Sequence, residues 1–371
     1  MTTTSLTATR PRGMQLVIGT YTERLPDVDG KADGILVASF DNASGSIGLV
    51  TTAAAARNPS YLTISATGEN LYAVSETLDF EGWPGGGVTA YARDPRTGDL
   101  TELSRAPSMG DLPCHVTLDG TGRFLLTANY GTDIGSVTVY QVNPDGSLGS
   151  RTDHVTHFGS GPDPVRQANS HAHMTAVDPA TGAVLVTDLG CDAVMLYTLD
   201  AAGRLHPGDP VRLDAVPGAG PRHLAFHPDG QHLFVVNELD STVDVLRREG
   251  DSFIRTDRGS TLPAGASAKN GAAAISVTPS GRHVLATNRG HDSIAVFRFD
   301  AAASTLEPLG HAASPGKSPR DLNVTPDGRH VVIACQDSDL LAAYRFDDEA
   351  GQLSYLASTA VPTPVCVAFA P

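Results

Sequence analysis

The sequence predicts an all-β fold, a seven-bladed β-propeller of four-stranded antiparallel blades. Three observations lead there. A unit of roughly 50 residues recurs six times, each unit repeats one strand–turn–strand pattern, and each chain end holds the part of a blade that the other lacks.

Residues 1–13, "MTTTSLTATRPRG", carry no apolar pattern and are expected to form a flexible tail, with 14–371 as one propeller domain. "MQLVIGTYT" and "GILVASFD" read as a second and a third strand with no first strand before them. Six units then begin at Pro59, Pro113, Ala172, Pro221, Ala272 and Pro319, with spacings of 54, 59, 49, 51 and 47 residues. Each opens on a hairpin, as in "PRHLAFHPDGQHLFVVNE" and "PRDLNVTPDGRHVVIACQ": an alternating strand, a Gly-containing turn and a second β-rich strand. Third strands such as "AVMLYTLD" and "SIAVFRFD" follow, then a weaker fourth. "LDS" at 239–241 and "HDS" at 291–293 read as turns into the third strand, with Asp serving turn amides. The chain ends on "PVCVAFAP", a seventh first strand with nothing after it. Pairing it with "MQLVIGTYT" closes the ring and hides the sheet edges. Two β-sandwiches would leave the phase of the repeat unexplained.

In a propeller the first strand of each blade lines the central channel, and its start shares a rim with the end of the second strand. Aligning the units therefore reads off rings of residues at one mouth. The ring at strand starts is Ser60, Cys114, His173, Arg222, Ala273, Arg320 and Val365. Its neighbours include His115, His223, Ala274 and Asp321. The ring at second-strand ends is Glu76, Tyr130, Leu189, Glu238, Arg289 and Gln336, next to Asn129, Asn237 and Asn288. A repeat built only for stability needs no His, Arg and Glu at equivalent positions. His171, His173, Arg222, Glu238 and Arg289 are therefore expected to converge as the catalytic group, with Arg320, Asn129, Asn237, Asn288, Gln336, Glu76 and Arg166 around them as substrate-binding residues. The segment "GSGPDPVRQAN" at 159–169 is longer than a blade turn needs and delivers His171 and Arg166 to the mouth. "GWPGGG" at 82–87, with the chain's single tryptophan Trp83, reads as a plain loop.

A net charge of −15 argues against nucleic acid as a partner and means that an anionic substrate needs a local cluster of Arg. The apolar runs are too short for a transmembrane helix or a signal peptide. Cys114, Cys191, Cys335 and Cys366 are scattered, with no C-x-x-C spacing, and read as buried free thiols of a cytoplasmic protein. No metal is expected at the histidines, because no third ligand is evident and Arg222 and Arg289 would repel a cation.

"NSHAHMTAVDP", "GAGPRHLAFHPDG", "NELDSTVDV", "NRGHDSIAVF" and "PRDLNVTPDG", in this order, resemble the bacterial lactonase family, typified by propeller-type 6-phosphogluconolactonases and including fungal carboxymuconate cyclase. The resemblance runs from "IGTYT" near Gly19 to the last strand. It implies a seven-bladed propeller with its active site at a channel mouth, no cofactor, and a site at His173 or His171, Arg222, Glu238 and Arg289. The implied reaction is opening of 6-phosphogluconolactone to 6-phosphogluconate, a step of the pentose phosphate pathway. Ala274 departs from the family's usual Glu before the fifth blade's first strand. A neutral His would take a proton from attacking water, and Arg would stabilise the oxyanion and hold a phosphate or carboxylate. The partner is then a small anionic lactone, and the chain a monomer or weak dimer. A muconate-type lactonising cycloisomerase would use the same groups. A non-catalytic propeller that binds protein would instead enrich Trp and Tyr at the mouth.

Overall fold

The second strand of a propeller blade is covered on both faces by neighbouring blades, so it reads as a continuous apolar run, not an alternating one. "FLLTAN" at Phe124–Asn129 is buried at every position, whereas the fourth strand of the next blade, Leu205–Asp214, is mostly exposed. That difference explains why the fourth strand is the weakest in the sequence. The computed structural model describes residues 13–26, 28–266 and 269–371; all of the expected tail except Gly13 lies outside the described residues. The described residues form seven four-stranded antiparallel sheets and two short ribbons, Arg24–Leu25 with Val28–Asp29 and Asp79–Phe80 with Trp83–Pro84. No helix among them is long and apolar enough to cross a membrane.

With blade 1 starting at Pro59, blades 1 to 6 are sequential in the chain. Blade 7 combines the C-terminal strand Pro364–Ala370, innermost, with Met14–Thr20, Gly34–Phe40 and Thr51–Ala55. Leu16 lies opposite Phe369, Val17 opposite Ala368 and Ile18 opposite Val367, as the two incomplete ends predict. Apolar side chains of adjacent blades fill the gaps: Phe124, Leu126 and Val137 of blade 2 meet Val184, Val186 and Ala193 of blade 3.

The aspartates of the turns into the third strands do more than cap their own turns. Asp292 Oδ1 accepts the Ser318 amide at 2.8 Å, and Asp339 Oδ1 accepts the Thr363 amide at 2.9 Å. Asp192 takes the Gly218 and Gly220 amides at 2.6 and 2.8 Å. Each ties its blade to the segment leading into the next. In blade 4 the equivalent residue is Ser241, which accepts Asn270 Nδ2 at 2.8 Å.

Candidate active site

The ring residues owe their direction to a recurring β-bulge. In blade 4 Pro221 pairs with Asn237 and His223 with Val236, so Arg222 is skipped and left unpaired. Cys114, His173, Arg320 and Val365 are skipped in the same way, and blade 5 skips both Ala273 and Ala274. A bulge bends its strand and re-aims one side chain. Here it turns the first-ring residues to the channel mouth. Second-ring residues are fixed by equivalent amide bonds, among them Glu238 to Gly220 O at 2.8 Å, Tyr130 to Leu112 O at 3.0 Å and Gln336 to Ser318 O at 3.1 Å.

Glu238 sits at the centre of three guanidinium groups. Arg166 Nη2 lies 2.6 Å from Oε1; Arg289 Nη2 and Arg222 Nε lie 2.8 and 3.1 Å from Oε2. Burial pushes the Glu238 carboxyl up, but the surrounding Arg289, Arg222 and Arg166 more than reverse this and hold it well below the usual carboxylate range. The cluster keeps two excess positive charges inside a chain of net charge −15. The arginines differ in access: the Arg222 side chain is 3% exposed, Arg289 20% and Arg166 42%. Arg222 also donates to Ala273 O at 2.7 Å, and burial followed by repulsion from Arg289 lowers its pKa to about 9, which leaves it charged at neutral pH.

Across the channel, Arg320 donates to the Tyr21 hydroxyl at 3.0 Å and to Gln336 Oε1 at 3.3 Å. Tyr21 in turn donates to Glu76, both of whose oxygens lie at 2.9 Å, and Ser60 donates to Glu76 as well. Tyr21 was not among the expected site residues, although "IGTYT" contains it. It comes from the N-terminal part of blade 7, which the repeat alone does not bring against blade 1.

Both histidines reach the mouth and flank Tyr130. His171 stacks on its ring at 4.2 Å, and its Nδ1 is 3.1 Å from Tyr130 O, an acceptor, so Nδ1 carries the proton. The long segment before it is anchored by Asp188, which accepts the His171 amide at 2.8 Å and pairs with His157 Nδ1 at 2.7 Å. Asp188 stands at the position of Asn129, Asn237 and Asn288, a substitution visible in the sequence. His173 meets Tyr130 edge-on at 5.9 Å, and its buried Nδ1 has no hydrogen-bond partner among the described residues. It lines a small cavity with Ser60, Glu76, Cys114, Arg222 and Arg320, in which about 10 Å³ is open to a water centre, room for one water. The Cys114 thiol is pushed up by burial and donates to His173 O at 3.3 Å, so it is no nucleophile.

Three of the expected substrate-binding residues do not reach the mouth. Asn129, Asn237 and Asn288 are fully buried. Their amides bond within the fold: Asn129 to Ser108 O at 3.1 Å, Asn237 to Thr242 Oγ1 at 3.0 Å, and Asn288 to Thr261 O at 2.6 Å. They stand one position before the second ring, and successive side chains of a strand point to opposite faces of the sheet. Ala274 is buried, donates its amide to Thr287 Oγ1 at 3.0 Å and packs against blade 6, so this stretch of wall is apolar.

At the floor of the mouth, Tyr61, His115, His173 and His223 close the channel, with ring centroids 4.1 to 5.8 Å apart. Burial, followed by the Arg222 charge, lowers the pKa of His115 to about 3 and those of His173 and His223 well below 6.5. The folded state therefore holds these imidazoles neutral while the unfolded chain protonates them below about pH 6.5. Above that pH neither state is charged and stability does not change on their account. Below it the unfolded chain binds more protons, and stability falls as pH falls, by about 1.4 kcal/mol per unit for each histidine. Urea unfolding at pH 7, 6 and 5 is expected to show this steep loss with uptake of about three protons; equal stability at pH 7 and 5 would contradict it.

Residues 15–369 match the family "Lactonase, 7-bladed beta-propeller". The chain is 35% identical to a 6-phosphogluconolactonase of Bacillus subtilis over 355 residues, 95% of this chain and 97% of that one. Among solved structures it is similar to a periplasmic gluconolactonase of Pseudomonas aeruginosa, with a TM-score of 0.89, 33% identity, and coverage of 96% of this chain and 99% of that one. A protein from Lactobacillus plantarum has a TM-score of 0.84 at 33% identity, with 96% and 99% covered. This chain therefore belongs to the lactonase family of seven-bladed β-propellers.

Proposed function

We propose that this lactonase hydrolyses a phosphorylated sugar lactone, 6-phosphogluconolactone, at the mouth lined by His173 and the Glu238 cluster. The observation that carries the reading is the meeting of three guanidiniums on one carboxylate beside a neutral, unpartnered imidazole. His173 takes a proton from water as the oxygen of that water attacks the ring carbonyl carbon. Arg222, buried beside it, stabilises the oxyanion, a donor role worth ~2.7–4 kcal/mol. The tetrahedral intermediate collapses by breaking the ring C–O bond, and the leaving alkoxide recovers the proton from the imidazolium. Glu238 stays ionised throughout; it is a positioning residue that aims the arginines, not a proton carrier. No metal takes part, since a cation would have to sit among three guanidiniums. Two of the relatives above are named as a 6-phosphogluconolactonase and a gluconolactonase, one with a phosphorylated and one with an unphosphorylated substrate. The partly exposed Arg166 and Arg289 favour the phosphorylated one here, because the guanidinium fork matches phosphate. Such a substrate belongs in the cytoplasm.

The test compares turnover of 6-phosphogluconolactone and gluconolactone, each corrected for spontaneous opening. Arg166→Ala and Arg289→Lys are expected to raise KM for the phosphorylated lactone roughly 10- to 100-fold, the loss of one charge-assisted hydrogen bond, and to leave the plain lactone little changed. Equal kcat/KM for both lactones in the wild type would remove the phosphate from the proposal.

A further inference from the structure

We propose that His227, Asp229 and His232 form a binding site for a divalent transition-metal cation, on the rim opposite the active site. The turn that carries them joins the inner strand Pro221–Phe226 to the second strand His232–Asn237. The catalytic mouth lies at the Pro221 and Asn237 ends, so the turn is at the far end of the channel wall. The inference is independent of the lactonase mechanism.

Three donor atoms meet there. One imidazole nitrogen each of His227 and His232 and a carboxylate oxygen of Asp229 lie within 4.8 Å of one another. Asp229 Oδ1 is 2.9 Å from His227 Nδ1, and Oδ2 is 2.8 Å from His232 Nδ1. Both outer nitrogens are held. His227 Nε2 donates to Gly281 O at 2.9 Å, and His232 Nε2 is 2.9 Å from Ser304 Oγ. Outer partners of this kind orient metal-binding imidazoles. Because Gly281 O can only accept, His227 Nε2 is the donor there, and Nδ1 faces the Asp229 carboxylate at 2.9 Å and accepts the Asp229 amide at 3.2 Å. Two imidazole nitrogens and one carboxylate oxygen suit Zn²⁺ and similar ions, with a fourth position left for water.

The sister turns show that this arrangement is not required by the hairpin. Blades 5 and 6 carry "TPSGRH" at 278–283 and "TPDGRH" at 325–330, with Thr in place of His227. There the Thr hydroxyl accepts the amide of the following His, at 3.2 Å in blade 5 and 3.0 Å in blade 6. Blade 4 also accommodates the extra ring: His227 packs against Gly281, where a Cβ would come within 2.4 Å of Nε2 and where φ is +75°. Phe299 buttresses both imidazoles, with centroids at 5.1 and 4.9 Å. The nearest guanidinium bonded to this turn, Arg248, donates to Gly230 O and is paired with Asp178 at 2.6 Å, so its charge is compensated elsewhere.

The experiment is a Zn²⁺ titration of the EDTA-treated, desalted protein by calorimetry at neutral pH, with thermal melts alongside. The expected result is one Zn²⁺ per chain and a Tm that rises with Zn²⁺ concentration. His227→Thr, the residue used by the sister turns, is expected to fold and melt like the metal-free wild type but to bind Zn²⁺ roughly tenfold or more weakly, without the rise in Tm. Asp229→Asn keeps a turn acceptor, removes the charge and serves as a second variant with the same expected loss. No stoichiometric binding by the wild type, or equal binding by wild type and both variants, would overturn the proposal.

Discussion

His173→Ala is expected to lower kcat for lactone opening by roughly 10²–10⁴, the range typical of a lost general base, with the melting temperature little changed. The fold tolerates the change because blade 5 already carries Ala273 at the equivalent ring position, and because His173 Nδ1 makes no hydrogen bond that would be lost. Its pH dependence separates His173 from an ordinary histidine. Burial, then the charges of Arg222, Arg320 and Arg289, hold its pKa well below 6.5. The neutral ring is the form that accepts a proton, so wild-type kcat/KM should stay level as pH falls from 7.5 to 6, where an unperturbed imidazole would already be largely protonated. A limb with a midpoint near 6.5 would assign the proton to another group. His171→Ala is the comparison. That ring is tied to Tyr130 by stacking and by its Nδ1 hydrogen, so its loss should loosen the 159–169 segment and raise KM more than it lowers kcat. Wild-type rates in both variants would make the mouth a binding surface and not a catalytic one.

The blades and their closure are legible in the sequence because a propeller converts position in a repeat into position in space. Once Pro113, Pro221 and Pro319 are aligned, Arg222 and Arg320 must share a rim, and Glu238 must face Arg222 from the neighbouring strand. What the repeat does not carry is the direction of each side chain. The bulges at Cys114, His173 and Arg222 leave no mark in residue type, yet they decide which residue enters the channel. The same blindness misplaced Asn129, Asn237 and Asn288: they stand one position before the second ring, and that one step turns them into the blade. Tyr21 escaped for another reason. Its contacts with Glu76 and Arg320 span 55 and 299 residues and exist only after the ring has closed. Asp188 was readable as the one acid among asparagines, but its role depends on His157, which only the fold brings near.

Removing residues 363–371 is expected to leave the chain unfolded or aggregated. The lost strand is the inner edge of blade 7, paired with six residues of Met14–Thr20. Val365, Cys366 and Val367 on it are almost wholly buried. Burial of each valine contributes about 1.5–3 kcal/mol, and each backbone hydrogen bond a net ~0.5–1.5 kcal/mol. Together these rival the ~5–15 kcal/mol that stabilise a typical folded domain. The cut also removes Thr363, whose carbonyl accepts the Tyr21 amide at 3.2 Å and whose own amide donates to Asp339 at 2.9 Å. Tyr21 would then lose part of its support, and the Arg320–Tyr21–Glu76 bridge with it, so any residual folded fraction should be inactive. The newly bared edge, "QLVIGT", is apolar and unpaired, a template for pairing with another chain. Light scattering and circular dichroism of the truncated protein at 25 °C are the measurements. A truncated chain that stays monomeric and melts with the full-length protein would show that blade 7 is held by its three N-terminal strands alone, and that the ring does not depend on joining its two ends.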